Sequence, residues 1–369
     1  MRVLIAPDCF GGTLTAPEAA EAIAAGWRAG APADELTLCP LADGGPGFVD
    51  VLHNALGGRL HRLTVTGPLG TPVEALWLEH EGTAYLECAQ ACGLHLVPKG
   101  ERDALAATTY GVGEMLVAAL ASGVRTVVVG LGGSATTDGG AGLFHALGAV
   151  PVGEDDEPLP PGGGALIDLV RLHGHPDLGD VTLVAASDVE NPLLGRLGAA
   201  RVFGPQKGAD DLAVRRLERS LARWAEMLSE VAERDIREEK GAGAAGGLGA
   251  ALIALGARVE SGAGVVRRLT GLDAALDAAQ LVVTGEGSFD FQSLRGKLVT
   301  RVAEAAAERG TPCVVLAGVV SVGRRRAAAA GVDRAYSVAE HVGSAEASMA
   351  DPGGTLTSLA EHVSEQWHR

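Results

Sequence analysis

The stretch Thr126–Gly142, TVVVGLGGSATTDGGAG, constrains the chain most, because a β-branched run empties into six glycines that share the segment with Ser134, Thr136, Thr137 and Asp138. Such a run reads as strand, loop and helix start. A loop this rich in glycine can turn several backbone N–H groups toward one point, whose natural occupant is an anion, phosphate above all. A tight turn alone would need only one or two glycines.

The flanking chain repeats the pattern. Val3–Ala6 is a short apolar run ending in Pro7-Asp8, and Thr15-Ala-Pro-Glu18 is a capping box that starts a helix stopped near Gly30. Leu36–Pro40 is the next strand, followed by Leu41-Ala-Asp43-Gly-Gly45. From Arg59 to Glu87 the pattern changes to alternating segments with turns between them, which predicts a hairpin or meander in a different domain. Tyr110–Ala121 is a helix, Glu154–Gly164 a surface loop, Val181–Ala186 a strand ahead of Asp188, and Leu212–Val231 a long helix. Gly241–Gly249 is a second small-residue loop entering a helix. Strands at Gln280–Thr284, Thr311–Ala317 and Asp333–Ser337, with helices at Leu298–Glu308 and Arg324–Ala330, make a βαβαβ run that belongs with the N-terminal unit. The expected architecture is α/β in two domains, residues 1–58 with 270–369 in one parallel sheet and 59–269 inserted between them.

Charge decides which partners are excluded. A formal net charge of −16 argues against nucleic acid, so any phosphate site must be built by local loops. Cys9, Cys39, Cys88, Cys92 and Cys313 lack a secreted-scaffold spacing and read as reduced thiols, and the Cys88-x₃-Cys92 pair has no further ligands for zinc. The start MRVLIAPD reads as a strand rather than a signal peptide, and no stretch reaches eighteen uninterrupted apolar residues. A cytoplasmic protein without a membrane partner is therefore expected. No G-x-x-x-x-G-K-[ST] occurs. Gly130-x-Gly132-x-x-Ala135 does match a permissive dinucleotide fingerprint, with Glu154 about 20 residues on. Against that reading, Asp138-Gly-Gly falls where the fingerprint helix should make its first turn.

Carboxylates gather at the ends of the strands: Asp8, Asp43, Asp188 and the pair Glu286/Asp290, with Asp138 inside the first glycine loop. Each alone would be a turn or a helix cap. Together at one sheet edge they could hold Mg²⁺, and one could accept a hydroxyl proton. The cations near these loops are Lys207, Arg295 and Lys297, the partners a phosphate or carboxylate ligand needs. The Arg324–Arg326 run reads as a solvated face, and no histidine pairs at metal spacing.

At these motifs the chain resembles the bacterial type I glycerate kinases. The resemblance is carried by APDCFGGTL at Ala6–Leu14, LADGG at Leu41–Gly45, ATTYGVGE at Ala107–Glu114, GLGGSATTDGGAG at Gly130–Gly142, DVENPL at Asp188–Leu193, FGPQKGAD at Phe203–Asp210, GAGAAGGLGAAL at Gly241–Leu252 and TGEGSFDFQSLRGK at Thr284–Lys297. It implies ATP- and Mg²⁺-dependent phosphorylation of D-glycerate to 2-phosphoglycerate. It also implies a flavodoxin-like domain plus an inserted α/β domain of restriction-enzyme-like type.

On that basis Asp8, Asp43 and Asp188 are expected as catalytic acids, with Asp188 and Asp138 toward the metal. Gly132, Gly133, Ser134, Thr136, Asp138 and Gly139, with Gly243, Gly246 and Gly247, are expected to cradle nucleotide phosphates. Lys207, Glu286, Asp290, Arg295 and Lys297 are expected to bind the hydroxy acid. The chain departs from the usual family residues at Cys9, Gly11, Pro46, Phe48, Thr137 and Ser288, where serine, lysine, glutamate, threonine, asparagine and a basic residue are common. Charge missing at Gly11, Pro46 and Ser288 motivates an alternative, a re-specialised or non-catalytic paralogue that binds nucleotide or a phosphorylated metabolite.

Overall fold

The apolar runs form strands, and in chain order these are β1 (Arg2–Ile5), β2 (Glu35–Leu38), β3 (Arg59–Thr66), β4 (Pro72–His80), β5 (Thr83–Glu87), β6 (Thr126–Gly130), β7 (Val150–Val152), β8 (Arg171–His173), β9 (Thr182–Ala186), β10 (Arg258–Glu260), β11 (Leu281–Phe289), β12 (Cys313–Val320) and β13 (Arg334–Ser337). The structure is a computed structural model that describes residues 1–367. Contacts group it into two units, Met1–Ala42 with Asp50–Leu56 and Val266–Arg369, and Asp43–Val49 with Gly57–Val265.

The first unit holds one five-stranded sheet in the order β2-β1-β11-β12-β13, parallel throughout. The chain leaves β1 for β2 on one side and returns to β11 on the other, so the strand order reverses between β1 and β11. Ligands of open parallel sheets sit at the carboxyl ends of strands beside such a reversal. The helix Ala16–Gly30 begins with the expected capping box, Thr15 and Glu18 satisfying each other's backbone N–H. Its apolar face, Ile23 and Trp27 included, is buried in one cluster with Leu356, Leu359 and Val363 of the helix Pro352–Trp367. A methyl group on Gly26 would lie 2.0 Å from the carbonyl of Thr357, so those helices need glycine to approach so closely.

The second unit holds a six-stranded sheet, β3-β4-β5-β6-β9-β10, and a two-stranded ribbon, β7-β8. β3, β4 and β5 form the antiparallel meander that their alternation predicts, and β5, β6, β9 and β10 run parallel. Glu87, Gly130 and Ala186 therefore end their strands at one edge. The core includes the edge-to-face pair Phe144–Trp224, 5.3 Å between centroids, with Leu217, Leu221 and Leu228 of the helix Asp211–Val231.

Two boundaries differ from the sequence reading. β11 continues past Thr284 to Phe289, because Gly285, Glu286 and Ser288 pair with Leu316, Ala317 and Val319 of β12. Glu286 is thus a strand residue rather than a loop residue. Residues 43–49 group with the second unit rather than the first, since Gly44 packs on the carbonyl of Ala186 and Gly45 on Gly132.

Candidate functional site

At the carboxyl edge of the second unit's large sheet, β6 releases the chain at Gly130, and the Asp43–Gly47 loop lies directly on the segment that follows. A Cβ on Gly132 would sit 2.5 Å from the Cα of Gly45, and one on Gly130 would sit 2.6 Å from the carbonyl of Gly44. The two loops meet backbone to backbone, which only glycine permits. Gly132 and Gly133 reach solvent while residues 134–140 are buried. Gly133 has φ +67°, and the N–H groups of Gly132, Gly133 and Ser134 donate to no acceptor among the described residues. Successive unengaged amides around a left-handed residue form a concavity suited to an anion.

Two expected acids lie on segments beside these amides. Asp43 is exposed, and its Oδ1 accepts from Gly45 N–H at 3.0 Å, with no donor to Oδ2 among the described residues. Asp188 follows β9, and its carboxylate accepts from the Ser261 hydroxyl at 2.5 Å and from Ala263 N–H at 3.2 Å. Gly262, between those donors, is fitted against the carbonyl of Asp43, where a Cβ would lie 2.1 Å away. Asp43, Asp188 and the Gly132–Ser134 amides thus come from segments gathered at one edge.

Three groups of expected site residues lie in the packing around the loop. Asp138 is fully buried, and its carboxylate is saturated by Thr109 N–H and hydroxyl, each at 2.8 Å, and by Gly140 and Gly142 N–H, each at 3.2 Å. It therefore organises the loop and the start of the helix Ala141–Ala146, three of these donors converging on Oδ2 and one on Oδ1. Burial pushes its carboxyl up, against those hydrogen bonds. Gly243, Gly246 and Gly247 lie against protein backbone: a Cβ on Gly246 would lie 1.9 Å from the carbonyl of Thr136, while Gly243 abuts Pro192 and Gly247 abuts Gly139. Gly139 likewise packs on the Trp224 ring and accepts from its indole N–H at 2.8 Å.

The third group is Lys207, which is 2% exposed and donates to the Ser134 hydroxyl at 3.0 Å and the Thr136 carbonyl at 2.5 Å. It supports the loop from below, its ammonium engaged by the loop rather than by solvent.

Glu87 was not singled out by sequence. It is 2% exposed at the end of β5, and its Oε2 accepts from Gly47 and Val49 N–H, tying down the Asp43–Val49 loop. Its signal was present, an acid closing a buried strand, but Cys88 rather than glycine follows it. Ser261, the partner of Asp188, gave no signal. A separate concavity of about 540 Å³ in the second unit is lined by Tyr110, His145 and Leu166 among others, with no Lys or Arg in its lining.

In the first unit, a cleft of about 450 Å³ opens beside the β1/β11 reversal and is lined by Asp8, Glu286, Asp290 and Lys297. Asp8 accepts from Cys9 N–H at 2.6 Å, and Asp290 accepts from Gln292 and Ser293 N–H, forming a turn. The half-exposed Lys297 lies 3.8 Å from Glu286 Oε2, while Glu286 Oε1 is buried with no hydrogen-bond partner among the described residues. Burial pushes the Glu286 carboxyl up, opposed by Ser293 and Lys297. Gly11 and Ser288 also line the cleft, and a Cβ on Gly11 would meet nothing within 4 Å. Arg295 does not line it; its guanidinium lies 5.2 Å from the centroid of the Phe291 ring. Among the described residues, no group of three or more His, Cys, Asp or Glu is arranged to hold a metal.

Against known proteins, residues 3–368 match the model of the glycerate kinase family. The chain belongs to that family. It is 40% identical to glycerate 2-kinase of Escherichia coli over 93% of this chain and 92% of that protein. It is 41% identical to glycerate kinase of Bacillus subtilis over 100% of this chain and 95% of that protein. A Salmonella typhimurium LT2 crystal structure provisionally named glycerate kinase 2 matches with a TM-score of 0.83 at 37% identity, covering 100% of this chain and 98% of that one. The chain is thus an α/β enzyme of a kinase family, and the resemblance read from its motifs holds over the whole length.

Proposed function

We propose that this enzyme transfers the γ-phosphoryl group of ATP, with Mg²⁺, to a hydroxyl of D-glycerate and releases 2-phosphoglycerate. The observation that carries the reading is the gathering of unengaged Gly132–Ser134 amides with Asp43 and Asp188 at one sheet edge. Amides of this kind bind phosphate oxygens without requiring a basic surface, which suits a chain of net charge −16.

The donor set also fits Mg²⁺, which is held by one or two carboxylates plus phosphate oxygens and water rather than by an all-protein cage. Asp43, whose Oδ2 has no donor among the described residues, and Asp188 would hold it. The ion supplies neutralisation of the charge that develops on the transferred group. In the first unit, Lys297 is the cation available to the acceptor's carboxylate, Asp8 is the carboxylate able to take a hydroxyl proton, and Glu286 and Asp290 bound the same cleft. The order β2-β1-β11-β12-β13 supports a flavodoxin-like reading of that unit, and the second unit is read as the restriction-enzyme-like domain. Five free thiols fit a cytoplasmic location.

A coupled ADP-release assay with Mg·ATP and D-glycerate tests the activity, and phosphorus NMR of the product identifies the hydroxyl that is modified. Turnover giving 2-phosphoglycerate is expected. ADP release that is independent of glycerate, or a product phosphorylated at the other hydroxyl, would refute the reading.

A further inference from the structure

A lysine ammonium is rarely buried without a carboxylate, because desolvation costs it several kcal/mol unless an opposite charge compensates. Lys207 is buried in that way. Two of its three N–H bonds go to Ser134 Oγ and the Thr136 carbonyl, and no carboxylate among the described residues lies within 4.0 Å of Nζ. The titratable groups that face it are the thiols of Cys88 and Cys92, from the end of β5 and the helix Ala89–Cys92, and the carboxylate of Asp138, already saturated by four donors. Its two anchors include and adjoin the segment whose amides, Gly132 to Ser134, are left open. The positive charge therefore sits beneath the concavity, with its compensation still to arrive.

We propose that Lys207 is a positioning residue that holds residues 134–136 in their anion-receiving shape and carries the loop's buried countercharge, so that docking of a polyphosphate is coupled to uptake of a proton at its amine. The inference rests on the reading that this loop receives nucleotide phosphates. In the free protein, burial lowers the Lys207 ammonium to about 8. Near that pH the amine is only part-protonated, and a docked polyanion completes it. Well below that pH the proton is already in place, and docking takes up none.

Isothermal calorimetry of Mg·ATP binding in two buffers of different ionisation enthalpy counts the protons. At about pH 8, where the nucleotide phosphates are themselves unprotonated, the wild-type protein should take up about half a proton per ATP. The Lys207→Arg variant should bind ATP with no uptake, its guanidinium being charged throughout. The Lys207→Met variant should bind about 10- to 100-fold more weakly. Wild-type binding without proton uptake at pH 8 overturns the proposal while leaving the loop's nucleotide role intact. Absence of binding at any pH removes that role and the proposal with it. Should Lys207→Met fail to fold, the wild-type proton count still decides.

Discussion

Residues 130–142 and 241–249 carry the same sequence signature, glycine-dense loops that each enter a helix, yet they serve different physical ends. In the first, Gly132 and Gly133 face solvent and three successive amides stay open. In the second, Gly246 adopts φ +70° so that its backbone can lie against Thr136, and Gly139 N–H closes the contact by donating to the Gly246 carbonyl at 3.0 Å. Glycine density marks a backbone that something must approach closely. In the first loop Gly130 and Gly132 admit the Asp43–Gly47 backbone while the Gly132–Ser134 amides stay open, and in the second the visitor is the first loop itself. The second loop is the mould in which the first is cast.

That contrast predicts that changes beside the open loop cost rate and changes in the mould cost stability. The largest effect is expected at Asp188 and Asp43. Replacing either with alanine should lower kcat by about 10²–10⁴-fold in an ADP-release assay while calorimetry still shows a folded protein. Gly246→Ala comes next: a Cβ 1.9 Å from a carbonyl, at positive φ, should cost about 3 kcal/mol in urea unfolding. If that variant instead keeps full stability and loses nucleotide affinity, the contrast between the loops is wrong.

Asp138→Asn should destabilise by about 1–3 kcal/mol, because one of its four donors would face an amide N–H₂ instead of an acceptor. The same variant should retain Mg²⁺ dependence, because the Asp138 carboxylate is buried inside the loop.

A smaller effect is expected from Lys207. Its folded value of about 8 lies below the ordinary 10.5, so between those limits the unfolded chain binds more protons than the folded one. Stability should therefore rise with pH across that window, by at most about 1.4 kcal/mol per pH unit, and this rise should be absent in Lys207→Met. Smallest is Gly133→Ala, at φ +67° on the exposed part of the loop, for which about 1 kcal/mol of stability should be lost along with several-fold of ATP affinity.

Much of the fold was legible because it rests on local pattern. The Thr15–Glu18 capping box, the meander of β3–β5 and the C-terminal βαβαβ run each follow from residue spacing alone. The strand ends carrying Asp43 and Asp188 were legible for the same reason. Burial was not. Asp138, Lys207 and Gly246 have the composition of ligand-binding residues, and only the packing shows that Thr109, Ser134 and Thr136 already occupy their bonding and contact capacity. Glu87 and Ser261 were missed because their role is to hold other loops through partners distant in the chain, Gly47 and Asp188, which no local spacing encodes.

Amide chemical shifts of the ¹⁵N-labelled protein, followed as Mg·ATP is added, test the central claim most directly. The account predicts that Gly132, Gly133 and Ser134 shift strongly as their N–H groups acquire phosphate acceptors, while Gly243, Gly246 and Gly247 move little. Large shifts in the second loop with the Gly132–Ser134 amides unmoved would contradict it.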